Sequence, residues 1–397
     1  MLSWDQTQSL EPMRCCRAWV EINLAALRHN VRQLKSILSP ATQLMAVVKA
    51  DAYGHGAVTT AQTTLQAGAA WLGVATVPEG IELRAAGIQA PILVMGAVNS
   101  PEEMQAIAHW RLQPTLVSPK QALIFSGTLS GLAAARPVGV HLKIDTGMSR
   151  LGFPWNEAVD FARFVKQLPH LKIDSLYSHL ATADSPDSTV MCQQHQRFKA
   201  ALGQLQQHQL LPPRLHLANT AGTLADAALH YDQVRVGLGL YGLYPAPHLQ
   251  AQVDLQPVMQ VKARITHIKD VPAGTGVSYG HQYVCDRPVR LAVVGIGYAD
   301  GVPRVLSNRL QVIVKGCLVP QIGAITMDQL MLDVSHIPDL REGDVVTLLG
   351  CDGHHTISPD DWATLANTIS WEILCGFKHR LPRIAVEQSL PAAAMQS

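Results

Sequence analysis

The chain alternates over much of its first half. Short runs rich in Val, Ile and Leu give way to longer stretches of helical composition. The apolar runs are LMAVVK (44–49), WLGVA (71–75), PILVMG (91–96), PTLV (114–117), VGVHLKID (138–145), IDSLYSH (173–179), RLHLAN (214–219) and VRVGLG (234–239). Near-continuous apolar runs of this length read as strands buried on both faces, as in a parallel sheet. Helix signals fall between them. Ser100-Pro101-Glu102-Glu103 supplies an N-cap residue, a proline in the first turn and early acids. Ser118-Pro119 repeats the device. The stretch from Ser188 to Leu210 is long, rich in Gln and interrupted only by Gly203. A strand–helix repeat of this kind predicts an α/β fold, a (β/α)8 TIM barrel. An open doubly wound sheet is the rival, because periodicity does not reveal closure.

From about residue 255 the pattern changes. VMQVKARITHIKDV, RLAVVGIGYADG, LQVIVKGCLV, QLMLDVSH and DVVTLLG are β-rich and separated by Gly- and Pro-containing turns. No helix-length amphipathic segment follows until about Pro359. The reading is a barrel over residues 17–252, a linker around Pro245 and Pro247, and an all-β domain with a short C-terminal helix over residues 253–388.

Composition narrows the function. The chain has 397 residues, a formal charge of +1 and only 15% charged residues. Disorder and long coiled coil are excluded as overall descriptions. The near-neutral balance gives no reason to expect nucleic acid or a membrane as a partner. No apolar run reaches the ~18 residues of a membrane span, and the N-terminal stretch has no apolar leader region. The seven cysteines are scattered, and Cys15-Cys16 are adjacent. Reduced thiols and a cytoplasmic protein are expected. Cys351, His354 and His355 in CDGHH mimic half a zinc site but lack a second ligand pair, so no metal is expected.

Barrel chemistry sits at the C-terminal ends of the strands. Here those ends carry Lys49, Lys143 with Asp145, His179, Asn219 with Thr220, and Arg235 with Gly237. Buried cations are costly unless paired or used, so a rim lined with them marks a site. A lysine ending a buried strand is partly desolvated, which favours its neutral, nucleophilic amine and suits a Schiff-base enzyme. A structural or phosphate-binding lysine is the plainer alternative. GLGLYG (237–242) matches GxGxxG, but Leu-Tyr-Pro-Ala-Pro follows where a dinucleotide site needs a helix. Its glycine N–H groups still suit a phosphate.

Taken together, VVKADAYGHG, LKIDTGMSRLGF, SHLATAD, HLANTAG, VRVGLGLYG, VSYGH, VVGIGYADGVPR, TMDQ and HRLPRI resemble the alanine racemase family, fold-type III enzymes dependent on pyridoxal 5'-phosphate (PLP). The segments occur in the family's order across nearly the whole chain. The resemblance implies a PLP-binding barrel, a C-terminal β domain and interconversion of L- and D-alanine for peptidoglycan.

Residue by residue, Lys49 matches the lysine that forms the internal aldimine. Tyr53, Thr220, and the backbone of Gly237 and Leu238 match the phosphate site, with Asn219 beside it. Arg235 matches the arginine facing the pyridine nitrogen. Guanidinium does not deprotonate in this range, so that nitrogen stays unprotonated and the cofactor is a weaker electron sink. His179 matches the histidine that orients this arginine. Racemisation needs a base on each face of the substrate aldimine. Lys49 is one; Tyr279 matches the opposite-face tyrosine, which in the family comes from the second subunit. A homodimer with Tyr279 and Met327 reaching the partner's site is therefore implied. A phenol ordinarily titrates near ~10, so such a base needs nearby positive charge. Arg150 matches the arginine that contacts the cofactor phenolate and the substrate carboxylate. Lys143 matches a lysine often carbamylated in support of that arginine; the plainer reading pairs it with Asp145. Met327 matches the residue whose N–H receives the substrate carboxylate, and Tyr298 and Asp328 match the site entrance.

Two positions depart from the family pattern. Ala324 stands where an arginine of the corridor is common. Trp371, before Glu372, stands where a tyrosine near the phosphate is common. Both point to altered entrance electrostatics and substrate scope. The rival functions are a serine or broad-specificity racemase and a PLP-binding homeostasis protein. The latter shares the barrel and lysine but lacks the β domain. A decarboxylase of the same fold type would place a carboxylate where Arg235 stands. A non-enzymatic barrel scaffold leaves the rim of Lys49, His179 and Arg235 without a purpose.

Overall fold

The computed structural model describes residues 16–131 and 137–388. Residues 1–15, the stretch read from sequence as lacking an apolar leader region, lie outside that description. The described residues form two compact units. One comprises Ala26–Ala52 and Gly56–Gln256. The other comprises the described parts of Met1–Ala25, Tyr53–His55 and Pro257–Ser397.

The first unit is a closed barrel of eight parallel strands. They are Gln43–Val47, Trp71–Val74, Ile92–Ala97, Gln113–Leu116, Val138–Asp145, Leu171–Tyr177, Leu215–His216 and Gln233–Val236, which neighbour one another in chain order. Pairing of Gln233–Val236 with Gln43–Val47 brings the last strand beside the first. The open-sheet rival is thereby excluded, and each apolar run contributes one strand. The helix signals hold as well. Ser100 Oγ accepts from the Glu103 backbone N–H at 3.1 Å, and Ser118 Oγ accepts from that of Gln121 at 3.2 Å. Each satisfies an otherwise unpaired donor of a first helical turn. The Gln-rich stretch forms one helix, Thr189–Gln207.

The barrel interior is mixed. Met45, Trp71 and Leu93 form an apolar cluster. His141, Ser175, His216 and Arg235 are buried as well. Pro247–Gln252, in the expected linker, forms a short 3-10 helix, and the unit ends at Gln256.

The second unit is built on a nine-stranded sheet. Its long strand Met259–Val271 pairs antiparallel with Val345–Asp352 and Val289–Val294. LQVIVKGCLV splits into Gln311–Val314 and Cys317–Pro320, a hairpin turning at Lys315 and Gly316, both at positive φ. Ala18–Asn23 also belongs to this sheet, antiparallel to Met259–Val271 and parallel to Arg383–Val386. The barrel, expected from residue 17, thus does not include this first strand, which lies in the β-rich unit. A single short strand carries no periodicity that names its sheet. Two helices close the unit, Pro359–Ala366 and Ser370–Gly376. Cys351 lies on the hairpin of Val345–Asp352 and His355–Ile357, its Sγ 3.2 Å from Thr356 Oγ1.

Candidate active site

Lys49 follows strand Gln43–Val47 and opens an unusual turn. Ala50, Asp51, Ala52 and Tyr53 have φ of 52°, 53°, 54° and 54°. Four consecutive left-handed residues without glycine carry a cost of roughly 1–2 kcal/mol each. Hydrogen bonds offset it. Glu79 Oε1 accepts from the Ala50 N–H at 2.7 Å, while its Oε2 accepts from those of Ala75 and Thr76. Asp51 Oδ1 accepts from the Ala57 N–H at 2.7 Å. The turn fixes the backbone of Lys49 at the strand's C-terminal end.

Around that end the barrel gathers cations. Lys143, 6% exposed, is pushed down to about 8 by burial and by the positive charges of Arg235, Arg150 and Lys49, against the opposing Asp145. His179 is held well below the usual imidazole range by burial first, then by Arg235, Lys143, Arg150 and Lys49. Asp145 does not serve Lys143 alone. Its Oδ1 accepts from the N–H groups of Gly147, Met148 and Ser149 at 2.9, 3.0 and 3.2 Å, folding the loop that carries Arg150. Gly152 closes this loop at φ 140°; a Cβ there would lie 2.6 Å from the Asp145 backbone nitrogen.

Arg235 is buried and donates to four acceptors. Nη2 reaches the Ser178 carbonyl at 2.8 Å, the Leu217 carbonyl at 3.1 Å and His179 Nδ1 at 3.1 Å. Nη1 reaches His216 Nδ1 at 3.1 Å. Burial lowers its pKa to about 10, which leaves the guanidinium charged at neutral pH. Thr220 Oγ1 accepts from the Gly237 N–H at 3.1 Å, joining the two neighbouring strand-end loops. Leu238 opens a short 3-10 helix, Leu238–Tyr241, in place of the α-helix a dinucleotide site requires. Asn219 caps helix Thr220–Ala225 by accepting from the Gly222 N–H at 2.9 Å.

The structure thus brings Lys49, Arg150 and Arg235 within electrostatic reach of both Lys143 and His179. The donor set fits PLP. Clustered cations, a hydroxyl and glycine N–H groups suit a phosphate and a phenolate, and a strand-end amine suits its aldehyde.

The remaining candidates lie in the second unit. Tyr279 is 73% exposed and Met327 52%. Tyr279 stands between Ser278 and Gly280, both at positive φ, and Ser278 Oγ donates to the Ala324 carbonyl at 2.7 Å. Ala324 is buried in this unit, and its backbone carbonyl, not its side chain, braces the Tyr279 turn. The Tyr298 and Met327 segments are stitched together by N–H bonds from Tyr298 to the Thr326 carbonyl and from Ala299 to the Met327 carbonyl. Gly297 permits that approach, since a Cβ there would meet the Thr326 oxygen at 2.2 Å. Asp328 accepts from Arg380 at 2.6 Å. Trp371 lies on helix Ser370–Gly376, partly buried. Tyr53 is buried, which raises its pKa and keeps the phenol protonated. A cleft of about 600 Å³ in this unit is lined by Tyr298, Asn367, Thr368, Glu372 and Lys378, among others.

Several residues at the site escaped the sequence reading. Tyr177 stacks on His216 at 4.5 Å, and Lys143 Nζ lies 5.3 Å above the Tyr177 ring. Gln194 ties the Thr146 hydroxyl to the His179 carbonyl. The available signal was polar residues inside three of the apolar runs, VGVHLKID, IDSLYSH and RLHLAN.

Comparison with known proteins agrees with this geometry. The family model described as "Alanine racemase, N-terminal domain" matches residues 22–245, and "Alanine racemase, C-terminal domain" matches residues 258–385. Alanine racemase from Nostoc sp. is 66% identical over 370 residues, spanning 93% of this chain and 96% of that one. The structure of alanine racemase from Clostridium difficile 630 superposes with a TM-score of 0.89 at 33% identity, covering 94% of this chain and 96% of that one. Alanine racemase from Bartonella henselae with covalently bound pyridoxal phosphate gives a TM-score of 0.83 at 30% identity, covering 94% of this chain and all of that one. The chain belongs to the alanine racemase family.

Proposed function

We propose that this chain interconverts L- and D-alanine with PLP as cofactor, and so supplies D-alanine for peptidoglycan. The observation that carries the reading is the convergence of Lys49, Lys143, Arg150, His179 and Arg235 at one end of the barrel. When bound, PLP would draw electrons from the substrate Cα and acidify its C–H bond. The residues that would hold it are Lys49 through its amine, Tyr53, Thr220 and the Gly237 and Leu238 N–H groups at the phosphate, and Arg235 at the ring nitrogen. Asn219 shapes that loop through its cap.

Arg150 would bind the substrate carboxylate, with the Met327 N–H of a second copy. Lys49 moves the proton on one face of Cα and Tyr279 on the other. Arg235, which can only donate, would keep a proton off the ring nitrogen and so favour return of the Cα proton over transfer of the amine. Lys143 supports Arg150, as an amine or as a carbamate. By the family resemblance, Tyr298 and Asp328 would belong to the entrance and Trp371 to the phosphate side.

The exposure of Tyr279 and Met327 supports a homodimer in which each reaches the partner's site. Mixing Lys49→Ala with Tyr279→Phe would then restore a fraction of the activity, because the hybrid dimer holds one intact site. No disulfide joins the six described cysteines, which suits a reducing cytoplasm. No described helix is long and apolar enough to cross a membrane.

The test is polarimetry of L-alanine with the PLP-loaded protein, with pyruvate assayed in parallel. Decay to zero rotation without pyruvate is expected. Unchanged rotation with alanine, and decay with serine, would favour the serine racemase; decay with both would favour the broader racemase.

A further inference from the structure

We propose that Gln113, His141, Ser175 and His216 form a one-way hydrogen-bond chain through the barrel core that positions Arg235 and guards against amine transfer. The inference rests on the proposed placing of Arg235 at the cofactor's ring nitrogen.

The direction of the chain follows from its end. Arginine only donates, so His216 Nδ1, 3.1 Å from Arg235 Nη1, must accept. A neutral imidazole that accepts at Nδ1 carries its proton on Nε2. That nitrogen is 3.0 Å from Ser175 Oγ and donates to it. The one hydroxyl proton of Ser175 is then directed to His141 Nδ1, 2.6 Å away. His141 in turn carries its proton on Nε2 and donates to Gln113 Oε1 at 2.6 Å. Each member has a single consistent role. A reversed His216 would turn an N–H toward Arg235 Nη1, setting two donors face to face and costing Nη1 this acceptor.

The surroundings lock this arrangement. His141, Ser175 and His216 are fully buried. Tyr177 stacks on His216, and Trp71 stands edge-on to His141 at 5.6 Å. Thr115 Oγ1 donates to the Val94 carbonyl at 2.8 Å and so accepts from the Tyr177 hydroxyl at 2.7 Å. Burial, with nearby Arg214, holds His141 at about 3, and burial, Arg235 and His141 hold His216 well below the usual range. Neither imidazole offers a proton to the guanidinium.

These residues touch neither substrate nor cofactor; they are positioning residues. Loss of the Ser175 hydroxyl frees His216 to take either tautomer, and the Nδ1–H form pushes Arg235 away. The ring nitrogen then loses its fixed donor. The side reaction to watch is amine transfer, in which alanine and pyridoxal phosphate become pyruvate and pyridoxamine phosphate.

The test has two parts. Neutron diffraction from crystals of the PLP-loaded full chain should show deuterons on Nε2 of both His141 and His216. Ser175→Ala and Gln113→Met, each PLP-loaded, should raise pyruvate formed per racemisation event about tenfold and severalfold respectively. A deuteron on His216 Nδ1 overturns the proposal, and so does a folded Ser175→Ala enzyme with an unchanged ratio. Should Ser175→Ala fail to fold, the parent's deuteron positions and Gln113→Met decide. A parent that racemises no amino acid overturns the functional reading instead, a failure distinct from a reversed chain in a working racemase.

Discussion

Thr220 Oγ1 accepts the backbone N–H of Gly237 across 3.1 Å, so two strand-end loops meet at one hydroxyl. The Gly239 N–H lies 3.4 Å from the same oxygen. A phosphate bound there would share these donors. Thr220→Val keeps the shape of this buried side chain but removes its oxygen. The loss of one hydrogen bond to a charged group is worth roughly 1.5–3 kcal/mol, or at least tenfold in affinity. Absorbance titration of the apoprotein with PLP should show that weakening; an unchanged affinity would remove Thr220 from the phosphate site.

Gly152 is fixed by its neighbours. A Cβ would lie 2.6 Å from the Asp145 nitrogen and 2.7 Å from the Ile144 carbonyl carbon, backbone atoms that cannot swing away. Gly152→Ala should destabilise the protein by about 1–3 kcal/mol and displace the loop that carries Arg150. Substrate binding should suffer before cofactor binding does. The expected signature is a raised KM for alanine with an unaltered PLP absorption band, and a normal KM would uncouple Gly152 from Arg150.

The barrel was legible because each of its strands is a short apolar run followed by a helix signal, and Ser100 and Ser118 cap as their spacing implies. The rim was legible because Lys49, Lys143 and Arg235 are cations at the ends of buried strands. Other features were hidden for physical reasons. Ala50, Ala52 and Tyr53 have little propensity for left-handed backbone and Asp51 only a modest one; that turn is held by Glu79, 29 residues from Ala50, and by the Asp51 carboxylate on Ala57. Ala18–Asn23 joins a sheet completed far along the chain. His141, Ser175 and His216 are isolated polar residues within apolar runs, and only strand register brings them into contact.

Trp371 occupies a helix position where tyrosine is common in the family. Indole keeps one donor but holds it on a wider, differently placed ring. Trp371→Tyr should therefore shift the ratio of kcat/KM for serine against alanine severalfold, with the fold intact. Kinetics identical to the parent across several amino acids would show that Trp371 has no part in substrate scope.

Lys143 makes stability depend on pH in a definite direction. Its folded pKa of about 8 lies below the ordinary 10.5, because burial and the charges of Arg235, Arg150 and Lys49 outweigh Asp145. The folded protein therefore disfavours the protonated amine. Between pH 8 and 10.5 the unfolded chain binds the extra proton, so stability rises with pH across that window. Below it the penalty is about 3 kcal/mol at most. Lys143→Met should thus stabilise the apoprotein at pH 7 in CO2-free buffer, and the advantage should fade as pH approaches 10.5. Bicarbonate adds a second prediction. The neutral amine takes up CO2 and releases a proton, giving an anion among three cations, which should stabilise the parent and leave Lys143→Met unchanged. Urea unfolding across the pH series reads both effects. A parent and variant whose difference is flat with pH would mean that Lys143 carries no such penalty, and a bicarbonate effect equal in both would place the carbamate elsewhere.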